Sequence, residues 1–190
     1  TITGTGTLRL DHSKLSNTVN SNTLMNFSGK LIMQNAALYT DNGHALTPVT
    51  GATYDVDACS TITTNRSNPT IYNTITDFVW DTGGKISNNN SYAFENAASA
   101  SATLKGGVWR GPTSITSRDG APITIDGATI SSWGTGISGG TITMKSGSIN
   151  VNANSGWHYG ITSSYTMNLT GGTINVVSTG GNAVGANFEA

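Results

Sequence analysis

The sequence is short of charge, of cysteine and of long apolar runs. Asp, Glu, Lys and Arg supply only 10% of its 190 residues, against ~25% in an ordinary soluble domain. Lys and Arg total nine, with no basic cluster, and the formal net charge is −1. A nucleic-acid partner, which calls for a basic stripe, is therefore not expected. No apolar run approaches the ~18 residues of a membrane-spanning helix, so no membrane insertion is expected. Cys59 is alone, which excludes an internal disulfide. Absent too are His-Glu-x-x-His, a phosphate loop and Cys-x-x-Cys. His12, His44 and His158 stand far apart. Neither a metal site nor a cofactor is expected. The sequence opens at Thr1 rather than Met, and is expected to be a processed product or an excised piece.

What is present is turn and strand material. Gly (24), Asn (20), Ser (21) and Thr (30) make up half the chain. Ser, Thr and Asn compete with helical hydrogen bonds, and Gly costs about 1 kcal/mol against Ala in a helix. Thr, Ile and Val suit strands, whereas Gly and Asn suit tight turns with positive φ. Such polar chains can be disordered, but here the apolar residues (36%) are regularly placed.

The regularity is a repeat. Gly147-Ser-Ile-Asn-Val151 recurs as Gly172-Thr-Ile-Asn-Val176, and Gly156 and Gly160 recur as Gly181 and Gly185. A unit of two apolar residues separated by four mostly small or polar ones runs through the chain. Its first positions are Leu10, Met33, Tyr54, Ile75, Leu104, Ile125, Met144 and Leu169; its second are Leu15, Leu38, Cys59, Trp80, Trp109, Ile130, Ile149 and Ile174. Tyr54–Cys59 is the poorest copy. Two residues before the first position another small or apolar residue usually stands, as at Leu8, Leu31, Ala52, Ala102, Ile123, Ile142 and Met167, with Asn73 breaking the pattern. That is a strand with alternate side chains inward. The middle of the unit reads as a tight bend, and the second apolar residue opens the next strand. A third apolar piece follows, as at Gly136-Ile137 and Tyr159-Gly-Ile161. The expected fold is all-β: a single-stranded right-handed parallel β-helix of about eight coils of ~23 residues, with three parallel sheets. One solenoid domain spans 1–190. The frame places Cys59 in the core and Trp80 beside Trp109 on neighbouring coils, close enough for offset stacking. The pair reads as core filling in preference to a sugar-binding pair. Strand-like sequence near Thr1 and a turn-rich coil running almost to Ala190 suggest ends that continue into further chain or stack on other subunits.

Carboxylates come first among catalytic candidates, since glycosidases need two across the scissile bond, ~5–9.5 Å apart. The pairs weighed are Asp55/Asp57, Asp77/Asp81 and Asp119/Asp126, with Asp55, Asp57 and Asp77 the weak catalytic candidates. Asp11, Asp55, Asp77 and Asp126 fall in the bend segment, where Asp is a common turn residue, so a turn role is preferred. Aromatic display is the stronger signal. Trp157, His158 and Tyr159 are consecutive, so alternation cannot bury all three, and Trp133 sits in a Gly/Ser/Thr corner one coil earlier. Aromatic faces among Asn, Ser and Thr suit sugar rings. Trp133, Trp157, His158 and Tyr159 are the candidate ligand-binding residues, although Trp157 or Tyr159 could instead complete the core. The sequons at Asn26, Asn65, Asn89 and Asn168 are what such a composition yields by chance.

The units 139–149 and 169–176 resemble the pectin-lyase-like right-handed β-helices of bacterial autotransporter adhesins and of phage tailspikes or tail fibres. The resemblance rests on repeat style and transfers no catalytic residue. It implies an extracellular location, on a bacterial surface or virion, and contact with surface glycans. The expectation is a non-catalytic surface adhesin or fibre module that binds cell-surface glycans or acts as a spacer. The alternatives are a tailspike-like polysaccharide depolymerase, hydrolase or lyase, and a self-assembling extracellular filament subunit. Expected partners are a cell-surface polysaccharide and copies of the chain itself, as a homotrimer or end to end.

Overall fold

The computed structural model describes residues 1–18, 23–154 and 156–188. Each coil contributes three short strands, and equivalent strands stack in parallel. The first sheet joins Thr7–Asp11, Lys30–Gln34 and Thr53–Val56. It resumes with Phe78–Trp80, Ala102–Leu104, the opening stretches of Pro122–Ser138 and Thr141–Ala153, and Met167–Leu169. The second sheet runs from Lys14–Asn17 through Ala37–Thr40, Thr61–Thr64, Lys85–Asn88 and three longer strands to Thr173–Ser178. The third runs from Ile2–Gly4 through Met25–Phe27, a bridge at Leu46, Ile71–Asn73 and Phe94–Asn96 to Gly156–Ser163 and Gly181–Phe188. No helix occurs among the described residues. The chain is an all-β parallel solenoid of about eight turns, about 23 residues each, as the repeat predicts. Ala190 lies outside the described residues.

Alternation fills the interior. Ile123 and Ile125 are fully buried while Thr124 between them is not. Residues in register form columns one ladder step apart, ~4.8 Å. The second-sheet column is Leu15, Leu38, Ile62, Ile86, Trp109, Ile130, Ile149 and Ile174. In the first sheet Leu10 and Met33 pair as expected, but Met33 then meets Val56, and Trp80 meets Leu104.

Two sequence expectations are therefore corrected. Cys59 is exposed, and Ile62 occupies its place in the column. Trp80 belongs to the first sheet, and Ile86 takes the second-sheet place beside Trp109. The reason is corner length. Four residues separate the two apolar positions in most coils, as between Met33 and Leu38, but five separate Val56 from Ile62 and Trp80 from Ile86. A six-residue template cannot fit those corners and slides onto Tyr54–Cys59 and Ile75–Trp80. Tyr54 and Phe78, not Ala52 and Asn73, are the preceding inward residues.

Trp80 and Trp109 do lie close, with ring centroids 5.6 Å apart, but edge to face at 73° rather than stacked. Both are fully buried, which excludes the sugar-binding pair. Their indole N–H groups donate to the Gly83 and Gly106 carbonyls at 3.1 and 3.0 Å. With Tyr54, Phe78 and Phe94 they form one connected aromatic cluster in the middle of the solenoid. Gly107 shows why the bend needs glycine. Its φ is +77°, and a Cβ there would lie 3.0 Å from the Trp80 indole nitrogen.

Asn73 ends its third-sheet strand and turns inward at the corner. Its amide donates to Asn96 Oδ1 at 2.8 Å, and the Asn96 amide donates to Ser117 Oγ at 3.1 Å. These fully or nearly fully buried groups satisfy one another along the axis, as buried polar groups must.

The corrected frame makes a direct prediction. Ile62→Ala should cost about 2–5 kcal/mol, whereas Cys59→Ala should stay within about 0.5 kcal/mol of the parent, both from urea unfolding midpoints. The reverse ranking would return Cys59 to the core.

Candidate functional site

The three candidate catalytic carboxylates do not converge. Asp55 points outward from its strand and pairs with Lys30, 3.4 Å away. Asp57 staples a corner. One carboxylate oxygen accepts the Ser60 N–H at 2.8 Å and the Ser60 hydroxyl at 2.6 Å; the other accepts the Asn35 N–H of the preceding coil at 2.9 Å. The Ser60 hydroxyl, then the Asn35 N–H, hold this carboxyl below the usual aspartate value. Asp77 sits in a left-handed turn (φ +56°), where its N–H donates to Ser101 Oγ at 2.6 Å. These are the turn roles that Asp commonly fills. In the third pair, Asp119 is likewise a left-handed corner residue, and Asp126 accepts the Ser146 hydroxyl at 3.0 Å. Residues 136–140 spell Gly-Ile-Ser-Gly-Gly, but Ser138 is a ladder residue paired with Thr116 and Thr162. No helix follows it, so it is not a nucleophile elbow.

Asp77 and Asp81 do share a cleft of about 540 Å³. It opens where the first sheet is interrupted, between Thr53–Val56 and Phe78–Trp80, which have no ladder to each other. Just past these strands the Thr82 hydroxyl joins the two coils, accepting the Val56 N–H at 2.7 Å and donating to the Val56 carbonyl at 2.8 Å. Its apolar lining includes Val49, Tyr54, Ile75, Phe78 and Val79. Burial pushes the Tyr54 phenol well above its ordinary value.

The aromatic candidates fall at one corner of later coils. Thr135 pairs with Tyr159, so Trp133 and Trp157 each stand two residues before the third-sheet ladder in successive coils. Trp157 in turn pairs with Asn182 of the last coil. Trp157 is 65% exposed and Trp133 37%, while His158 and Tyr159 are half-buried. Neither exposed indole N–H has a hydrogen-bond partner among the described residues, in contrast to buried Trp80 and Trp109. The Arg110 guanidinium lies over the Trp133 ring, 5.6 Å from its centroid.

Arg110 was not among the sequence candidates. The signal for it was its place directly after Trp109: in a strand, the neighbour of an inward residue points out. No group of three or more His, Cys, Asp or Glu that could hold a metal occurs among the described residues. No protein-family model, curated protein or solved structure matches this chain.

The Asp57 staple predicts an acid dependence. Its folded-state pKa lies below the unfolded value of ~3.9. The stabilisation is therefore whole above that pH and is lost as pH falls through the lower folded value. Asp57→Asn should be destabilising at pH 7, and the gap to the parent should narrow progressively as pH falls below the unfolded aspartate value in urea titrations. A gap independent of pH would remove the charge from this account.

Proposed function

We propose that this solenoid is a non-catalytic extracellular module of a surface adhesin or fibre, and that it holds glycans at the Trp133–Trp157 corner. The observation that carries the reading is the pair of solvent-facing indoles that precede the third-sheet ladder in successive coils, with N–H groups unpartnered among the described residues. Sugar rings offer apolar C–H faces that stack on indole and hydroxyls that bond to nearby polar groups. Ser131, Asn150 and Asn175 supply such groups on the adjacent outer face of the second sheet. The low charge and the hydroxyl- and amide-rich surface agree with a role in binding rather than in acid–base chemistry.

Glycan-array screening of the intact chain, followed by titration of the best binder, tests this reading. Trp133→Ala with Trp157→Ala should weaken binding by about 10- to 100-fold, since each aromatic stack is worth roughly 0.5–1.5 kcal/mol. The melting temperature should hardly move, because both rings are exposed. Undiminished binding by the double variant, or an array without any binder, would overturn the proposal.

A second reading draws on the cleft. A polysaccharide depolymerase would use Asp77 and Asp81, the carboxylates that line it. Asp77→Asn with Asp81→Asn should then abolish the release of reducing ends from a bound polysaccharide. Release unchanged by both substitutions would exclude this cleft as the site.

A further inference from the structure

We infer that the Trp133–Trp157 corner takes an acidic saccharide, one bearing a carboxylate, and that Arg110 is the residue selecting it. The inference rests on the glycan reading of that corner and names the class of sugar.

Three observations lead to it. First, Arg110 stands in an outward column of the second sheet whose members are otherwise uncharged: Ser16, Tyr39, Thr63, Ser87, Arg110, Ser131, Asn150 and Asn175. A lone charge in a row of hydroxyls and amides is a specific feature of that surface. Second, the other three arginines have carboxylate partners. Arg9 lies 3.8 Å from Asp11, Arg66 lies 3.7 Å from Asp41, and Arg118 binds Glu95. Arg110 has no ion pair or hydrogen bond among the described residues; its one contact of this kind is the Trp133 face. Third, that contact positions the cation. A cation–π contact uses none of the guanidinium N–H groups as hydrogen-bond donors to a described residue.

Those N–H groups match a carboxylate, which accepts two parallel N–H bonds. A uronic or sialic acid residue stacked on Trp133 or Trp157 would present such a group within the same corner. A neutral sugar would gain the stacking alone. No carboxylate among the described residues pairs with Arg110, so none of them competes for the guanidinium.

The test uses the intact chain, a galacturonic acid hexamer and its methyl ester, and an array carrying sialylated and neutral glycans. The acid form should bind at least about tenfold more tightly than the ester, the scale of a hydrogen-bonded charge pair. The preference should shrink between about 50 and 500 mM NaCl as the charges are screened. If the array favours a sialylated glycan, that glycan and its desialylated form replace the hexamer pair. Arg110→Gln should bring the acid form down to the affinity of its neutral counterpart. Arg110→Lys should recover only part of the loss, because a point charge lacks the fork. Equal binding of acid and neutral forms, or a preference that survives Arg110→Gln, overturns the inference while leaving the glycan reading intact. Binding to neither form, with a blank array, overturns both.

Discussion

The position of every side chain in this protein depends on register between coils. Parallel strands stack in register, and each coil must return to the same three strand positions before the next begins. The ladder hydrogen bonds enforce this, since a slip of one residue would turn a whole inward set outward. The corners therefore carry the tolerance. They vary in length between coils, while the strand positions they join do not. Inside, the result is a continuous column such as Ile130, Ile149 and Ile174. Outside, the same register produces polar columns, and the surface chemistry of the molecule is written in those.

The polar composition follows from the same constraint. A solenoid corner turns the backbone away from its ladder and leaves donors and acceptors that water cannot always reach. Buried Asn73, Asn96 and Ser117 meet this need by bonding along the axis from coil to coil. The buried Asn88 does so at another corner, donating to the Asn68 carbonyl at 2.7 Å and accepting the N–H groups of Asn90 and Ser91. Asparagine suits both tasks, since it has two donors and one acceptor on a short side chain. A chain rich in Asn, Ser and Thr is thus compatible with buried corners whose polar side chains bond to one another and to the backbone.

Where corners keep one length, the fold could be read from the sequence. From Leu104 onward the expected columns are those observed, because four residues separate the apolar pair in each coil. Through Val56–Ile62 and Trp80–Ile86 one extra residue changes the spacing, and periodicity alone misplaces Cys59 and Trp80. Ile62 and Ile86 stood in the sequence as ordinary strand residues, but the spacing that identifies them becomes visible only once the ladder is known. The candidate site was legible in part for the same reason. Three consecutive aromatic residues cannot all face inward, so exposure of at least one follows from sequence, but that it is Trp157 does not. Arg110 and the cleft between Thr53–Val56 and Phe78–Trp80 depend on which coils adjoin and where the ladder breaks, and neither is a local property.

Register also decides what kind of ligand such a corner can suit. Trp157 and Asn182 are ladder partners, one ladder spacing of ~4.8 Å apart along the solenoid axis, and Trp133 stands two residues ahead of the same ladder one coil earlier. Their backbone is held in strands rather than in a free loop, and little ordering remains to be done on binding. An extended chain lying along the axis can meet the members of this row in turn, whereas a compact ligand would touch one or two. Stacking of this kind discriminates poorly, because all sugars have apolar faces. Selectivity must come from a group that is rare on the surface and directional. Among the groups on this face, the guanidinium held over Trp133 has both properties.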